Sequence, residues 1–167
     1  MNDAAVAKSD VVVLSVPFGG IVETLKAVRA SLRPEQIVVN LTVPLETSVG
    51  GRATHTLAVW AGSAAELVAD MVPKNVKVVT AFNNVSAELL HDLSRDVECD
   101  ILICGNDDDA KKVVFDLVRA LPGARAVDAG PLENSRTVEQ LTALLVSLNI
   151  RYRVKNAGIR ITGIAPV

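Results

Sequence analysis

Aromatic residues are scarce in this chain of 167: one Trp, one Tyr and three Phe make up 3% of it. So few rings weigh against the stacking platforms that hold single-stranded nucleic acid. A formal charge of -2 removes the general electrostatic case for nucleic acid or an anionic membrane as partner. The two cysteines, Cys99 and Cys104, bracket the apolar run ECDILICG without CxxC spacing. Neither a zinc ligand set nor a disulfide framework can be built from them, and they read as buried, inert thiols. His55 and His91 stand without a second histidine or cysteine at ligand spacing, so no metal site is expected. No apolar run reaches the roughly 18 residues of a membrane span, and the first residues lack the basic and apolar regions of a signal peptide. A cytoplasmic protein without a membrane partner is the expectation. There is no GxSxG elbow, no catalytic Cys with a partner His and no HExxH, hence no recognisable covalent or metal-activated catalyst.

What is abundant is Val, Leu, Ala and Ile; half of the chain is hydrophobic, enough for one domain with a real core. Strand-like runs recur at Val11 to Val16, Gln36 to Leu41, Val76 to Ala81, Asp100 to Cys104 and Ala124 to Val127. Helical spacing lies between most of them, over Gly19 to Leu32, Ser63 to Val72, a short piece opened by Ser86, and Asp107 to Leu121. Strands alternating with helices predict an α/β fold, a doubly wound parallel sheet with right-handed crossovers. The Asp107-Asp108-Asp109 run reads as a solvated helix start, where the dipole favours negative charge. A last helix begins near Pro131 and is apolar around most of its circumference from Leu141 to Ile150, as a helix buried on several sides would be. Residues 1–130 and this helix with its tail, 131–167, are expected to pack as one unit.

Three strand ends carry small, polar or proline residues: Ser15-Val16-Pro17-Phe18, Asn40-Leu41-Thr42-Val43-Pro44 and Ala81-Phe82-Asn83-Asn84-Val85-Ser86. Strand ends of a parallel sheet converge on one edge, so the three can line one crevice. The connection from Thr42 to about Gly62, with Gly50-Gly51-Arg52, is long for a compact domain, as functional loops often are. After Glu139 there is no acidic residue, while Arg151, Arg153, Lys155 and Arg160 cluster. A folded basic segment beside a cleft would attract an anion.

DVVVLSVPF, NLTVPLE, VVTAFNNVSAELL, DILICGNDDDAKKVV, DAGPLENSRTVEQLTALLVSLN and NAGIRITG stand in this order from Asp10 to Gly163. In this order and spacing the chain resembles the NADPH-dependent F420 reductases, the F420H2:NADP oxidoreductases. DAGPLENSR and GIRITG are the specific elements; CGNDDDAKK and AFNNVSA also resemble the reductase domains of membrane ferric reductases.

The resemblance implies a partial Rossmann-type domain in which NADP(H) and the deazaflavin F420 lie face to face and exchange a hydride. The cofactors carry the reactivity and the protein aligns them, in keeping with the missing nucleophile. By resemblance, Ser15, Val16, Pro17 and Phe18, with Thr42, Val43 and Pro44, flank the nicotinamide half of NADP. Asn83, Asn84 and Val85 lie near the meeting point of the rings, where Asn83 and Asn84 would align the hydride. Arg52 and the tail residues Ile159, Arg160, Ile161 and Thr162 approach F420, and the final helix forms a homodimer.

Two departures qualify the resemblance. Members of the family often carry histidine at the position of Asn83; an amide can still bond a deazaflavin carbonyl but gains no charge near neutral pH. The amino-terminal GxGxxG part, roughly sixty residues, is absent from this sequence. Its absence leaves two further readings open. One is a non-catalytic F420-binding or oligomerisation module of the same ancestry; the other is an imine or ketone reductase related to the pyrroline-carboxylate reductases, against which GIRITG and DAGPLENSR weigh. It also predicts an unpaired apolar sheet edge beside DVVVLSV, to be covered by self-association.

Overall fold

A computed structural model describes residues 2–92 and 94–167. Five strands lie side by side in chain order: β1 (Val11–Leu14), β2 (Ile37–Asn40), β3 (Lys77–Thr80), β4 (Asp100–Gly105) and β5 (Arg125–Asp128). The first three are parallel, with Val12, Val38 and Val78 in register. β4 and β5 are parallel to each other, but β4 joins β3 antiparallel, Thr80 opposite Cys104. The sheet is therefore mixed, where the alternating pattern predicts parallel strands throughout. Among its described residues the connection from β3 to β4 carries only α4 (Ala87–His91), whose rise of about 7.5 Å does not return the chain to the opposite end of the sheet.

Alternate residues of the strands face two cores. Val38 and Val78 pack with Ile21, Leu25 and Val28 of α2 (Ile21–Val28) and with Ala65 and Val68 of α3 (Ala64–Met71). Val39, Val79, Ile101 and Ile103 pack with Val114, Phe115 and Val118 of α5 (Asp108–Arg119) on the other face. Ser86, read from sequence as the cap of its short helix, makes no side-chain cap bond, whereas α3 and α5 are capped. Ser63 Oγ accepts the N–H of Glu66 at 3.1 Å and Asp107 Oδ1 that of Ala110 at 2.8 Å. The helical run predicted over Gly19 to Leu32 is α2 with 3-10 turns at each end, Phe18–Gly20 and Arg29–Ser31.

A short α1 (Asn2–Lys8) has no counterpart in the sequence reading, because it buries only Val6 and offers no periodicity to detect. Gln36 anchors it, donating to the carbonyls of Val6 and Ser9. The long 42–62 connection is folded: it holds a 3-10 turn at Glu46–Val49 and a bridge between Leu45 and Thr56. Gly51 is required there, since a Cβ would stand 2.6 Å from that of Glu46.

α6 (Ser135–Tyr152) is the longest helix, and it packs against α3. Val138, Glu139, Ala143 and Leu145 are buried, but Leu144, Ile150 and Tyr152 are more than half exposed. In the single chain one face is covered, not several. β1 pairs only with β2, its Val13 is 54% exposed, and an apolar cavity of about 300 Å³ opens between β1, α1 and α2. No helix among the described residues is long and apolar enough to cross a membrane.

Candidate active-site cleft

The carboxyl ends of β1, β2 and β3 finish at one edge of the sheet, and the segments leaving them wall a cavity of about 360 Å³. Ser15, Val16, Pro17 and Phe18 form one wall, and Leu41, Thr42, Val43 and Leu45 the second. Phe82, Asn83 and Val85 form the third, and Leu90 of α4 and Thr142 of α6 close it. None of these side chains is ionisable. The cleft suits uncharged, flat chemistry and supplies no acid, base or metal ligand of its own.

A chain of hydrogen bonds sets its shape. Thr42 Oγ1 donates to the carbonyl of Val16 at 2.9 Å, joining the first two strand ends. Asn83 Nδ2 donates to the carbonyl of Thr42 at 3.1 Å, joining the second to the third. Asn40 Nδ2 reaches the same carbonyl at 3.2 Å, so both of its lone pairs are taken. Thr142 Oγ1 donates to the carbonyl of Asn83 at 2.9 Å and ties α6 to the cleft. Phe82 is held at φ +64°, a left-handed conformation that a non-glycine residue adopts at a cost of about 1 kcal/mol or more. That turn presents Asn83, only 5% exposed, to the cavity with its Oδ1 lacking any hydrogen-bond partner.

Eight of the residues singled out in the sequence thus meet around one cavity: Ser15 to Phe18, Thr42, Val43, Asn83 and Val85. Pro44 begins the folded loop, its carbonyl accepting from Leu57. Arg52 lies on the exposed part of that loop, where its N–H meets Glu46 Oε2 at 3.4 Å. Asn84 points away from the cleft: Nδ2 donates to the carbonyl of Asp100 at 2.6 Å and Oδ1 accepts from Leu102. It lines a second, polar cavity of about 170 Å³ that shares Val85 with the first.

The tail runs beside that second cavity, strapped to fully buried Asp100. Ile159 accepts the Asp100 N–H at 2.8 Å, and the Ile161 N–H donates to Asp100 Oδ2 at 2.6 Å. Arg125 grips both carboxylate oxygens, at 2.6 and 2.7 Å. Arg160 donates to Asp100 Oδ1 at 3.1 Å and to the carbonyl of Gly123 at 2.8 Å. Arg125 foremost, with the Ile161 N–H and Arg160, holds the Asp100 carboxyl down at about 2 against the cost of burial. Arg160, read from sequence as a ligand for an anion, has its guanidinium engaged by Asp100 and the Gly123 carbonyl, though it is partly exposed; Thr162 beyond it is exposed.

Two features of the cleft had little or no sign in the sequence: the backbone of Phe82, and Thr142. Phe82 carries no sequence sign of its left-handed backbone. Thr142 had a faint one, as a polar residue in an apolar stretch of helix.

No family model matches the chain. It is 47% identical over 163 residues to the F420-dependent NADP reductase of Methanocaldococcus jannaschii, a match covering 98% of this chain and 72% of that protein. The chain belongs to the F420-dependent NADP reductase family. The reductase of the same name from Methanothermobacter thermautotrophicus is 42% identical over 164 residues, 98% of this chain and 70% of its own. Among solved structures, one from Arthrobacter sp. FB24, provisionally named an F420-dependent NADP reductase, superposes with a TM-score of 0.84. That match has 24% identity and covers 96% of this chain and 73% of the other, a likeness of fold. As a member of this reductase family, the chain keeps the convergent strand ends of a Rossmann-like sheet and closes them with α6.

Proposed function

We propose that this chain is an oxidoreductase that passes a hydride between NADP(H) and the deazaflavin F420, in the cleft at the ends of β1, β2 and β3. One observation carries the reading: the cleft is walled by uncharged, mostly apolar side chains, with Thr42 and Asn83 the buried polar residues in its lining. That environment fits two flat rings and the polar edge of one of them. The balanced exchange is F420H2 and NADP+ to F420, NADPH and a proton, and both reacting atoms belong to the cofactors.

The chain's own contribution is alignment and exclusion of water. Val16, Pro17 and Phe18 with Thr42 and Val43 flank the nicotinamide, and the bonds from Thr42 to Val16 and from Asn83 to Thr42 keep these walls at one spacing. Apolar walls expel water, and holding the rings at contact makes the transfer effectively unimolecular. Asn84 acts at one remove, by fastening the end of β3 to β4. Arg52 approaches the phosphodiester and glutamyl carboxylates of F420, and the tail from Ile159 to Thr162, with Arg160 engaged by Asp100, approaches as backbone and apolar surface. The exposed face of α6 forms a homodimer.

Mixing the chain with F420H2 and NADP+ and following F420 and NADPH together tests this. Stoichiometric appearance of both is expected; their absence with both cofactors bound rejects it. A second reading is a non-catalytic F420-binding module of the same ancestry. It predicts quenching of F420 fluorescence on mixing, without NADPH turnover.

A further inference from the structure

Three polar side chains stand on one face of α6 at helical spacing, Ser135, Glu139 and Thr142. They fix the helix along the exit of β3. Ser135 Oγ lies 2.7 Å from Thr80 Oγ1, at the last residue of that strand. Thr142 Oγ1 donates to the carbonyl of Asn83 at 2.9 Å, in the third wall of the cleft. Between them Glu139 reaches across to α3, Oε2 accepting the N–H of Ala64 at 2.8 Å and Oε1 that of Ala65 at 3.0 Å. N–H groups in a first turn have no partner within their own helix, and a carboxylate there also meets the positive end of the dipole. Glu139 is 1% exposed and does not line the cleft. The ionisable groups around it are Glu66 of α3, which Arg136 of α6 grips at 2.6 and 2.9 Å, and the Cys104 thiol of β4, pushed up to about 11 by burial. Burial, with a small addition from Glu66, pushes the Glu139 carboxyl itself up to about 7.

We propose that Glu139 is a proton-linked positioning residue: as a carboxylate it seats α6 on α3 and so holds the third wall of the cleft at the spacing for hydride exchange, and protonation slackens that seat. The inference rests on the hydride-exchange reading. A carboxylate accepts both N–H groups, whereas a protonated carboxyl turns one oxygen into a donor and weakens one of the two bonds. Burial makes the charged form the costlier one for stability, yet it is the form that fits the start of α3. Thr142 lies about 4.5 Å along the same helix from Glu139, so a change of seat moves Thr142 and the Asn83 carbonyl together. Transfer between two rings depends steeply on their spacing, and a shift well below about 1 Å changes its rate severalfold. The proton of Glu139 goes to solvent and takes no part in the exchange.

Two measurements on the full chain test this. The first compares wild type with Glu139→Gln, whose single acceptor oxygen imitates the protonated acid, in single turnovers saturated with F420H2 and NADP+. A titration within a cofactor affects both chains alike, so the quantity read is the ratio of their rates at each pH. That ratio should be near one at pH 6 and rise to about threefold to tenfold at pH 8, with the KM of each cofactor unchanged. A ratio independent of pH, or a loss confined to KM, overturns the proposal. The second measurement needs no variant: in isotope-labelled wild type the backbone amides of Ala64, Ala65 and Asn83 should titrate together with a midpoint near pH 7. An Asn83 amide that stays still, or no titration at Ala64 and Ala65, overturns the proposal as well. Absence of exchange with both cofactors bound rejects the hydride-exchange reading alone, and the amides then decide the role of Glu139.

Discussion

Glu139 turns both carboxylate oxygens to the first turn of α3, taking the N–H groups of Ala64 at 2.8 Å and Ala65 at 3.0 Å. It is 1% exposed, and burial pushes its carboxyl up to about 7 despite those two bonds, with the charge of Glu66 adding a little. Glu66 itself is paired with Arg136, which lowers it. The folded protein therefore binds the Glu139 proton more tightly than the unfolded chain, whose carboxyl titrates at 4.5. Stability from this source is complete below the unfolded value and is lost as pH rises through about 7, a change of about 3 kcal/mol at most. The urea midpoint should fall between about pH 5 and pH 8, and Glu139→Gln should flatten that slope; an unchanged slope would locate the titration elsewhere. At the same scale, Asn83 and Thr42 were legible as candidates, because polar residues at strand ends stand out from the apolar runs before them. How the Asn83 amide is held was not, since its Nδ2 bonds a carbonyl 41 residues away in sequence.

Among the larger pieces, the tail beyond α6 shows how one buried charge organises a segment without regular structure. Asp100 receives Arg125, Arg160 and the Ile161 N–H, and its own N–H holds Ile159. Its carboxyl is held below the unfolded value of 3.8, so its stabilisation is present above that pH and lost as pH falls toward about 2. Asp100→Asn should cost about 2 kcal/mol, because both guanidinium groups left behind still reach water. It should also expose residues 156–167 to faster proteolysis than wild type. A tail cut at the same rate would show that the strap is not its anchor. Of the basic cluster only Arg160 reaches Asp100, while Arg151, Arg153 and Lys155 are exposed; the sequence pattern hid that counter-charge, since Asp100 sits at the start of an apolar run.

For the whole molecule, the mixed sheet decides where the cleft ends. Because β4 runs antiparallel to β3, its first residues project past the ends of β1 to β3, and Asn84 and the tail fasten there. The same architecture leaves two apolar surfaces uncovered, the outer edge of β1 at Val13 and the face of α6 at Leu144, Ile150 and Tyr152. We propose that α6 pairs with a second copy. The wild-type chain should sediment as a dimer and Leu144→Lys as a monomer with unchanged circular dichroism; a monomeric wild type would refute the pairing.

The sequence by itself determined the alternation of elements. Runs of β-branched residues can bury both faces only as strands, and Ser63 and Asp107 can cap only the helices that follow them. The tertiary structure decided the direction of β4, the left-handed turn at Phe82, and the meeting of Thr42, Asn83 and Thr142. Each of these depends on contacts between residues far apart in the chain, whose donors and acceptors find partners only after the sheet and α6 have packed.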